Sequence, residues 1–385
     1  MCLDAGANAG GGGTTGGGAA TGGGGAATGG GGGAATGGGG AFDAGVFVPF
    51  GPAETDAGIA NVNVVAATAA ADGTVFFVHK TSVAGARFVL YQLGDSTPVD
   101  TLPGTFVRAV VSAPTANAVI WAVNDFNGVA QFRVWKKLVS WSLTGDLANY
   151  AVPFDAEPGV QVSTDTAISW WALPMSQTLR RAPSSGTPNS VSPPFAASIQ
   201  LGSDLDVSND GTLAVPVLCD RQADGGCGPA AVALWRLDGG TLLLDAPGRG
   251  LATAEVSRQR VAISADGKQV ARLRYEGFEV FVWRNGAAAP LVIPIDRPLD
   301  GGTQNLTRLL ALSDDGSTLL IGYPRYSGST PAGTNVDIRW WNGTSYVLSD
   351  TLSEGFILSD GFALSGDGKV LVTTGAFGDF KIRRR

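Results

Sequence analysis

One short phrase recurs along the chain and limits what the chain can fold into: an apolar run, a Ser-x-Asp-Gly turn and a second apolar run. Four clear copies and one worn copy, in which Ala70 replaces the serine, lie at residues 208–211, 264–267, 313–316, 365–368 and 70–73. An Asp-Gly pair between two β-rich runs is typical of a tight hairpin, because glycine tolerates a positive φ and aspartate hydrogen-bonds to its own backbone. A repeated hairpin predicts a repeated β-unit.

The long gap between the first two copies contains two degraded copies, at residues 110–123 and 162–171. With them the unit occurs seven times, at intervals of 42 to 56 residues. Most units also carry an aromatic residue followed by a turn some 20 to 30 residues further on, at Tyr91, Trp141, Trp235, Trp283 and Trp340. We interpret this second signature as a third strand that leads through a hairpin into a fourth.

Four strands in a unit of 40 to 50 residues are typical of a β-propeller blade. Residues 42–385 resemble the WD40-like and TolB-type β-propeller repeats, whose first hairpin carries a similar Ser-Pro-Asp-Gly turn. The turns lack the proline, and the Trp-Asp and Gly-His pairs of true WD40 blades are missing. The predicted fold is all-β, a seven-bladed β-propeller of four-stranded antiparallel blades over residues 42–385.

The two ends of this region predict how the ring closes. The last unit stops one strand short, after a third strand at residues 380–383, and an unassigned β run, residues 46–50, precedes the first unit. Pairing of residues 46–50 with residues 379–383 would complete the last blade and remove two exposed sheet edges.

Residues 1–41 differ from the rest in composition, since the first 40 residues hold 21 of the 57 glycines. Such a segment buries too little apolar area to fold, and we expect a disordered tether. Cys2 at its start resembles the lipidated cysteine of a mature bacterial lipoprotein, although only Met1 precedes it. The resemblance implies a lipid anchor at Cys2 and a place in the bacterial cell envelope, on the outer membrane and facing the periplasm or the surface. An unmodified cytoplasmic cysteine is the alternative.

The other two cysteines, Cys219 and Cys227, lie eight residues apart at the ends of two apolar runs. A hairpin would bring them together, and a disulfide is the interpretation that we favour over two free buried thiols. We expect no metal, because zinc needs four ligands and the chain has one histidine, His79. No motif points to a cofactor.

Charge and hydropathy bound the possible partners. With a net charge of −7 and 15% charged residues, the chain offers no basic surface for phosphate backbones, so we expect no nucleic-acid partner. No apolar run is long enough for a spanning helix, so the membrane is reached only through the lipid anchor. We expect a monomer.

In a propeller with such blades, the hairpins between first and second and between third and fourth strands share one face, and here they are short and alike. The loops between second and third strands differ from unit to unit, which is typical of a recognition surface. We therefore predict a non-enzymatic scaffold that binds a protein or glycan through these loops. The candidate contacts are Arg325, Tyr326, Tyr275, Asp125, Phe126 and Arg221.

The alternative function is a carbohydrate- or peptide-active propeller enzyme with carboxylates at the channel mouth. Glycosidases place two carboxylates about 5 to 10 Å apart, and four acidic residues qualify by position: Asp125, Asp220, Glu276 and Asp337. The sequence contains no nucleophile elbow and no second histidine to support His79 as a catalytic base. We therefore assign no catalytic residue.

Overall fold

A computed structural model describes residues 47–54, 63–81, 87–104, 106–112, 115–124, 130–137, 140–146, 160–162, 168–171, 179–182, 189–191, 194–202, 204–223, 226–236, 240–246, 260–274, 279–295, 309–328, 330–375 and 379–385. All of them belong to one compact unit, Ala44–Arg385. The predicted tether, residues 1–41, lies outside the described residues, and so does Cys2.

The described residues contain 28 β-strands and no helix. The first three sheets have four strands each. Sheet 1 holds β1 (Val64–Ala69), β2 (Val75–Thr81), β3 (Arg87–Gln92) and β4 (Asp100–Pro103). Sheet 2 holds β5 (Phe106–Ser112), β6 (Ala118–Asn124), β7 (Ala130–Lys137) and β8 (Trp141–Asp146). Sheet 3 holds β9 (Val160–Val162), β10 (Ile168–Trp171), β11 (Leu179–Ala182) and β12 (Asn189–Val191).

The remaining strands form four further sheets. Sheet 4 holds β13 (Ile199–Leu201), β14 (Asp206–Val207), β15 (Thr212–Asp220), β16 (Ala230–Arg236) and β17 (Thr241–Asp245). Sheet 5 holds β18 (Val261–Ile263), β19 (Gln269–Arg274), β20 (Glu279–Arg284) and β21 (Leu291–Pro294). Sheet 6 holds β22 (Leu309–Leu312), β23 (Thr318–Ser327), β24 (Thr330–Trp341) and β25 (Tyr346–Glu354). Sheet 7 holds β26 (Ile357–Leu364), β27 (Val370–Gly375) and β28 (Phe380–Arg384).

Each sheet is an antiparallel meander, in which a strand pairs with the next strand of the chain. Sheet 4 departs from this order, because β13 and β14 divide the first-strand position and both pair with β15. The predicted antiparallel units of four strands are confirmed for the described sheets, and the last is one strand short, as expected. One aromatic signature was misplaced: Trp141 begins the fourth strand of sheet 2, and Trp135 lies on the third.

The core lies between neighbouring sheets, because both faces of the middle strands carry apolar side chains. Strand β15 is buried from Thr212 to Cys219 and β27 along its whole length. Sheets 4 and 5 share one buried cluster and sheets 5 and 6 another. A further cluster joins Val75 and Phe77 of sheet 1 to Val370 and Ile382 of sheet 7, so the last sheet packs against the first.

The segment that begins the described chain completes sheet 7, but in a different register from the predicted one. The amide of Gly51 donates to Arg384 O and that of Glu54 to Ile382 O, both at 2.8 Å. The prediction that residues 46–50 pair with residues 379–383 is therefore wrong in register, since Glu54, and not Phe47, lies opposite Ile382. Phe50 is instead buried against sheets 6 and 7, and Phe47 stacks on Trp340 at 6.0 Å between ring centroids. Both aromatic rings lose water contact in this arrangement, and burial of apolar surface favours it.

The Asp-Gly hairpins have the predicted geometry. In the sheet 5 turn, the buried Ser264 hydroxyl donates to Asp266 Oδ1 (2.7 Å) and accepts from the amide of Gln269 (3.0 Å). Gly267 has a φ of +71°, in the left-handed region that favours glycine. The same serine–aspartate bond recurs in the turns of sheets 4, 6 and 7. The repeated phrase is thus a self-bonded turn.

Candidate functional site

The Ser-x-Asp-Gly turns lie side by side and define what we call the turn face. Their x residues bond from one sheet to the next: Asn209 N donates to Ala265 O, Ala265 N to Asp314 O, and Asp314 N to Gly366 O, each at 2.8 Å. Sheet 7 continues to sheet 1 through Asp367 N and Ala71 O, at 3.1 Å. A row of backbone bonds therefore joins sheets 4, 5, 6, 7 and 1, and the turn face is part of the framework.

The carboxylates of the turn aspartates accept hydrogen bonds from groups within their own turns. Although burial alone would raise the pKa of Asp266, hydrogen bonds from the Ser264 hydroxyl and the Lys268 amide lower it below its usual value. The same balance lowers the pKa of Asp210 and of Asp367. These carboxylates stabilise turns, and the geometry gives them no catalytic role.

The opposite side carries the connections between second and third strands, and we call it the variable face. Two of its connections are largely described, one in sheet 4 and one in sheet 6. Four of the residues discussed for this face, Asp125, Phe126, Tyr275 and Glu276, lie outside the described residues. Their proposed roles stay predictions.

The sheet 4 connection is closed by a disulfide between Cys219 and Cys227, with Cα atoms 5.1 Å apart. The predicted disulfide is confirmed. Inside this loop, the backbone of Arg221 bridges to Cys227 and its amide donates to Ser198 O at 3.0 Å. The Arg221 side chain is exposed, and once the Gln200 amide is turned so that its oxygen faces Arg221, that oxygen accepts from the guanidinium at 3.0 and 3.2 Å. The loop thus presents an arginine from a backbone that is held at several points.

The sheet 6 connection is a long hairpin of paired strands, although the sequence predicted that Arg325 and Tyr326 lie in a loop. Strands β23 and β24 stay paired up to Ser327 and Thr330, and Gly328 at the tip has a φ of +61°. A bulge after Arg325 and a φ of +142° at Gly333 twist the pair near its end. The two strands have 10 and 12 residues, against 6 each for β19 and β20 of sheet 5. The hairpin therefore extends beyond the sheet as paired strands.

Two of the predicted contact residues lie on this hairpin and differ in what they do. The half-buried Arg325 donates from Nη2 to Ala332 O (3.0 Å) and Glu354 O (3.3 Å), so its guanidinium ties β23 to β24 and β25. The prediction that Arg325 is a loop residue is wrong, because its backbone pairs with Gly333 in the sheet. Tyr326 is next to the tip, opposite Pro331, and is partly exposed.

Two polar clusters support this hairpin. The buried Asp337 accepts from Tyr323 (3.1 Å), Thr351 (2.8 Å) and Arg339 (3.2 Å) within sheet 6. The buried carboxylate of Glu354 binds two cations of sheet 7, Lys381 (2.5 Å) and Arg383 (2.6 Å). Sequence reasoning missed the Glu354 cluster, since its partners lie nearly 30 residues away and no local pattern joins them.

The acidic residues considered for catalysis do not converge among the described residues. Asp220 ends β15 in sheet 4 and binds the Gln222 amide at 3.0 Å, whereas Asp337 is enclosed in sheet 6. His79 is a strand residue of sheet 1, and partial burial lowers its pKa. Within the described part of the chain, no group of three or more His, Cys, Asp or Glu side chains is placed to hold a metal ion, and no helix has the length and apolar character for a membrane span.

Two further carboxylates, which sequence reasoning did not single out, cross from sheet 4 to sheet 5. Asp204 Oδ2 accepts from the amide of Val261 and Asp206 Oδ2 from that of Ile263, both at 2.8 Å. Asp206 Oδ1 also accepts from the amide of Val207 at 2.9 Å. The Asp-x-Asp spacing just before a turn phrase was the available signal, because residues two apart on an extended segment share a face.

Comparison of the sequence with protein-family models and with curated proteins finds no match. Comparison of the structure with solved structures does. U3-55K matches with a TM-score of 0.54 and 11% identity over 84% of this chain and 96% of its own. The Cps50 (Swd1) β-propeller domain of Myceliophteria thermophila matches with the same TM-score and identity over 88% of this chain and 100% of its own.

The fold is a WD40-like β-propeller. At 11% identity the likeness establishes the fold of this propeller and nothing of its function. The sheets are its blades, and the first strands of neighbouring blades contact one another, as β14 does with β18 and β18 with β22, which puts them toward the axis. The segment that contains Asp204 and Asp206 is therefore an inner segment, and the turn and variable faces are the two ends of the propeller.

Proposed function

We propose that the chain is a closed ring of seven blades that acts as a non-enzymatic binding scaffold. Seven described sheets, the packing of sheet 7 on sheet 1 and the pairing of Gly51 and Glu54 with β28 all support closure. WD40 propellers generally bind protein partners. A protein partner is accordingly our first expectation and a glycan the second, bound by one monomeric ring without nucleic acid.

The binding surface in this proposal is the variable face, and one observation carries it. Its two described elaborate connections are rigid in different ways, one through the Cys219–Cys227 bond and one through strand pairing up to Ser327. A rigid connection loses little conformational entropy when it binds, so it favours specific recognition. Arg221 and Tyr326 are the proposed contacts among the described residues, whereas Arg325 supports the hairpin from within.

We place the propeller in the bacterial cell envelope, held by a lipid on Cys2 through the glycine-rich segment. The Cys219–Cys227 disulfide supports an oxidising compartment, because such bonds are rare in the cytosol. Expressed from its native gene with any upstream signal restored, the protein should partition into detergent, and Cys2→Ser should release it. A wild type that stays in the aqueous phase would exclude the anchor.

The binding proposal is tested by capture from envelope extract on the immobilised full-length protein. The double variant R221A/Y326A should lose the captured partner and keep a melting temperature close to that of the wild type, because Arg221 is exposed and Tyr326 is partly exposed beside the hairpin tip. Lys268→Ala, on the turn face, is the matched control and should capture normally. Loss of capture by Lys268→Ala, together with full capture by the double variant, would show that the partner binds the turn face and would contradict the proposal.

A further inference from the structure

Three hydrogen bonds join blades 4 and 5, and they follow one another along the first strand of blade 5 and the turn after it. Asp204 binds the amide of Val261, Asp206 that of Ile263, and the amide of Asn209 donates to Ala265 O. On blade 5, the donors Val261 N and Ile263 N and the acceptor Ala265 O are spaced two residues apart, as in strand pairing. Two of the three bonds depend on a carboxylate, so the strength of this contact depends on the charge of two side chains.

Of these side chains, Asp206 has the surroundings that least favour an ionised carboxyl group. Asp206 is half-buried on the inner segment of blade 4, and its carboxyl oxygens accept from two backbone amides. Two acidic groups act on it, Asp204 from its own segment and Asp314 from the turn of blade 6. Arg260 of blade 5 forms an ion pair with Asp204, at 3.5 Å.

Among the described residues, the strands that contact β14, namely β9, β15 and β18, place no charged residue beside it. Strand β9 of blade 3, which contacts β14, has the sequence Val-Gln-Val, and the residues of β15 that pair with β14 are Leu213 and Ala214. Removing a carboxylate from water without a cation favours its neutral form, and nearby carboxylates do the same. Burial first, and the two acidic neighbours in addition, raise the pKa of Asp206 to about 7, against the lowering effect of the two amides.

We propose that Asp206 is a pH-responsive latch between blades 4 and 5, which releases the inner strand of blade 5 as the carboxyl ionises. When the two blades separate, the carboxyl meets water and ionises near pH 4. Between these two pH values, the closed contact holds a proton that the open contact does not hold. The contact between the blades is therefore most stable below about pH 4, and its stability declines as the pH rises to about 7. Each pH unit in this window raises the opening constant about tenfold, and about 100-fold in total between pH 5 and pH 8.

The latch is tested by hydrogen exchange of the Ile263 amide in the full-length protein at pH 5 and pH 8, after correction for intrinsic exchange. Protection should fall about 100-fold in the wild type across this interval. Asp206→Asn cannot ionise and keeps one oxygen to accept from the Ile263 amide, although it loses the bond from the Val207 amide, and it should abolish most of the change. Asp350→Asn is the matched control, because Asp350 makes the same bond to its neighbouring amide on the outer strand β25. Equal pH dependence in the wild type and Asp206→Asn would overturn the proposal.

A direct titration keeps the proposal testable if Asp206→Asn does not fold. Carbon NMR of the aspartate carboxyls in the wild type should show one group with a midpoint near pH 7, and proximity to the Ile263 amide assigns it to Asp206. A midpoint below about pH 5 for that group would refute the latch, since the carboxyl would already be ionised throughout the neutral range.

Discussion

The two ends of this propeller are built on opposite plans. On the turn face, one phrase is repeated, and each turn binds itself through serine and aspartate and its neighbour through the backbone. On the variable face, blade 4 uses a disulfide and blade 6 a long hairpin, so no two described connections there are alike. Repetition in the sequence marks the end whose turns bond from blade to blade, and the loss of repetition marks the end to which we assign binding.

The variable face is itself divided into a base and an exposed end. Arg325 and Glu354 form the base, where their polar groups are bound within and between blades 6 and 7. Tyr326 and Arg221 belong to the exposed end. The free energy of unfolding should therefore depend on the base and on the turn face, and binding should depend on the exposed end. The predictions below run from the largest expected loss of unfolding free energy to the smallest.

The largest effect is expected at the base of the variable face. Glu354→Gln leaves Lys381 and Arg383 without their buried carboxylate and should lower the free energy of unfolding by about 3 kcal/mol, toward the low end for a buried pair because Lys381 is partly exposed. Urea denaturation measures it. Glu54→Gln, which removes the exposed ion pair with Arg384, should cost less than about 1 kcal/mol. Equal costs would show that the Glu354 cluster is not part of the framework.

The next effect concerns the connection of blade 4. Replacing both Cys219 and Cys227 by serine opens a short loop, and the added freedom of the unfolded chain should lower the free energy of unfolding by about 2 to 3 kcal/mol. Capture of the partner should fall as well, since Arg221 loses its fixed position. Calorimetry of the wild type with and without reductant is the control. A reductant that shifts the melting temperature of the serine variant as much as that of the wild type would contradict this account.

A smaller loss of stability is expected when a single hydroxyl group is removed, and its size should differ between the two ends. Ser264→Ala removes a buried hydroxyl that donates to Asp266 and accepts from Gln269, and should cost about 1 to 3 kcal/mol. Ser327→Ala, at the exposed end of the hairpin, should cost less than about 0.5 kcal/mol. The two variants have the same chemistry, so thermal denaturation compares position alone, and equal losses would remove the distinction between the two ends.

The sequence predicted what is local and missed what depends on distant pairing. The hairpins and the disulfide follow from residues within ten positions of each other, where turn chemistry decides the structure. The register of closure joins Glu54 to Ile382, and the role of Arg325 depends on Glu354 of β25, 29 residues further along the chain. Residues 324–335 contain two prolines and two glycines, which favour a loop by local propensity, yet pairing of β23 with β24 overrides them.

Residue-level hydrogen exchange of the free protein tests most directly whether the turn face is the framework of the ring. Turn amides ordinarily exchange fast, but those of Asn209, Ala265, Asp314 and Asp367 donate to the next blade. We predict that these four amides are protected to nearly the same degree as the middle strands, whereas the amide of Gly328 at the hairpin tip exchanges freely. Exchange of all four at the rate of Gly328 would contradict the account.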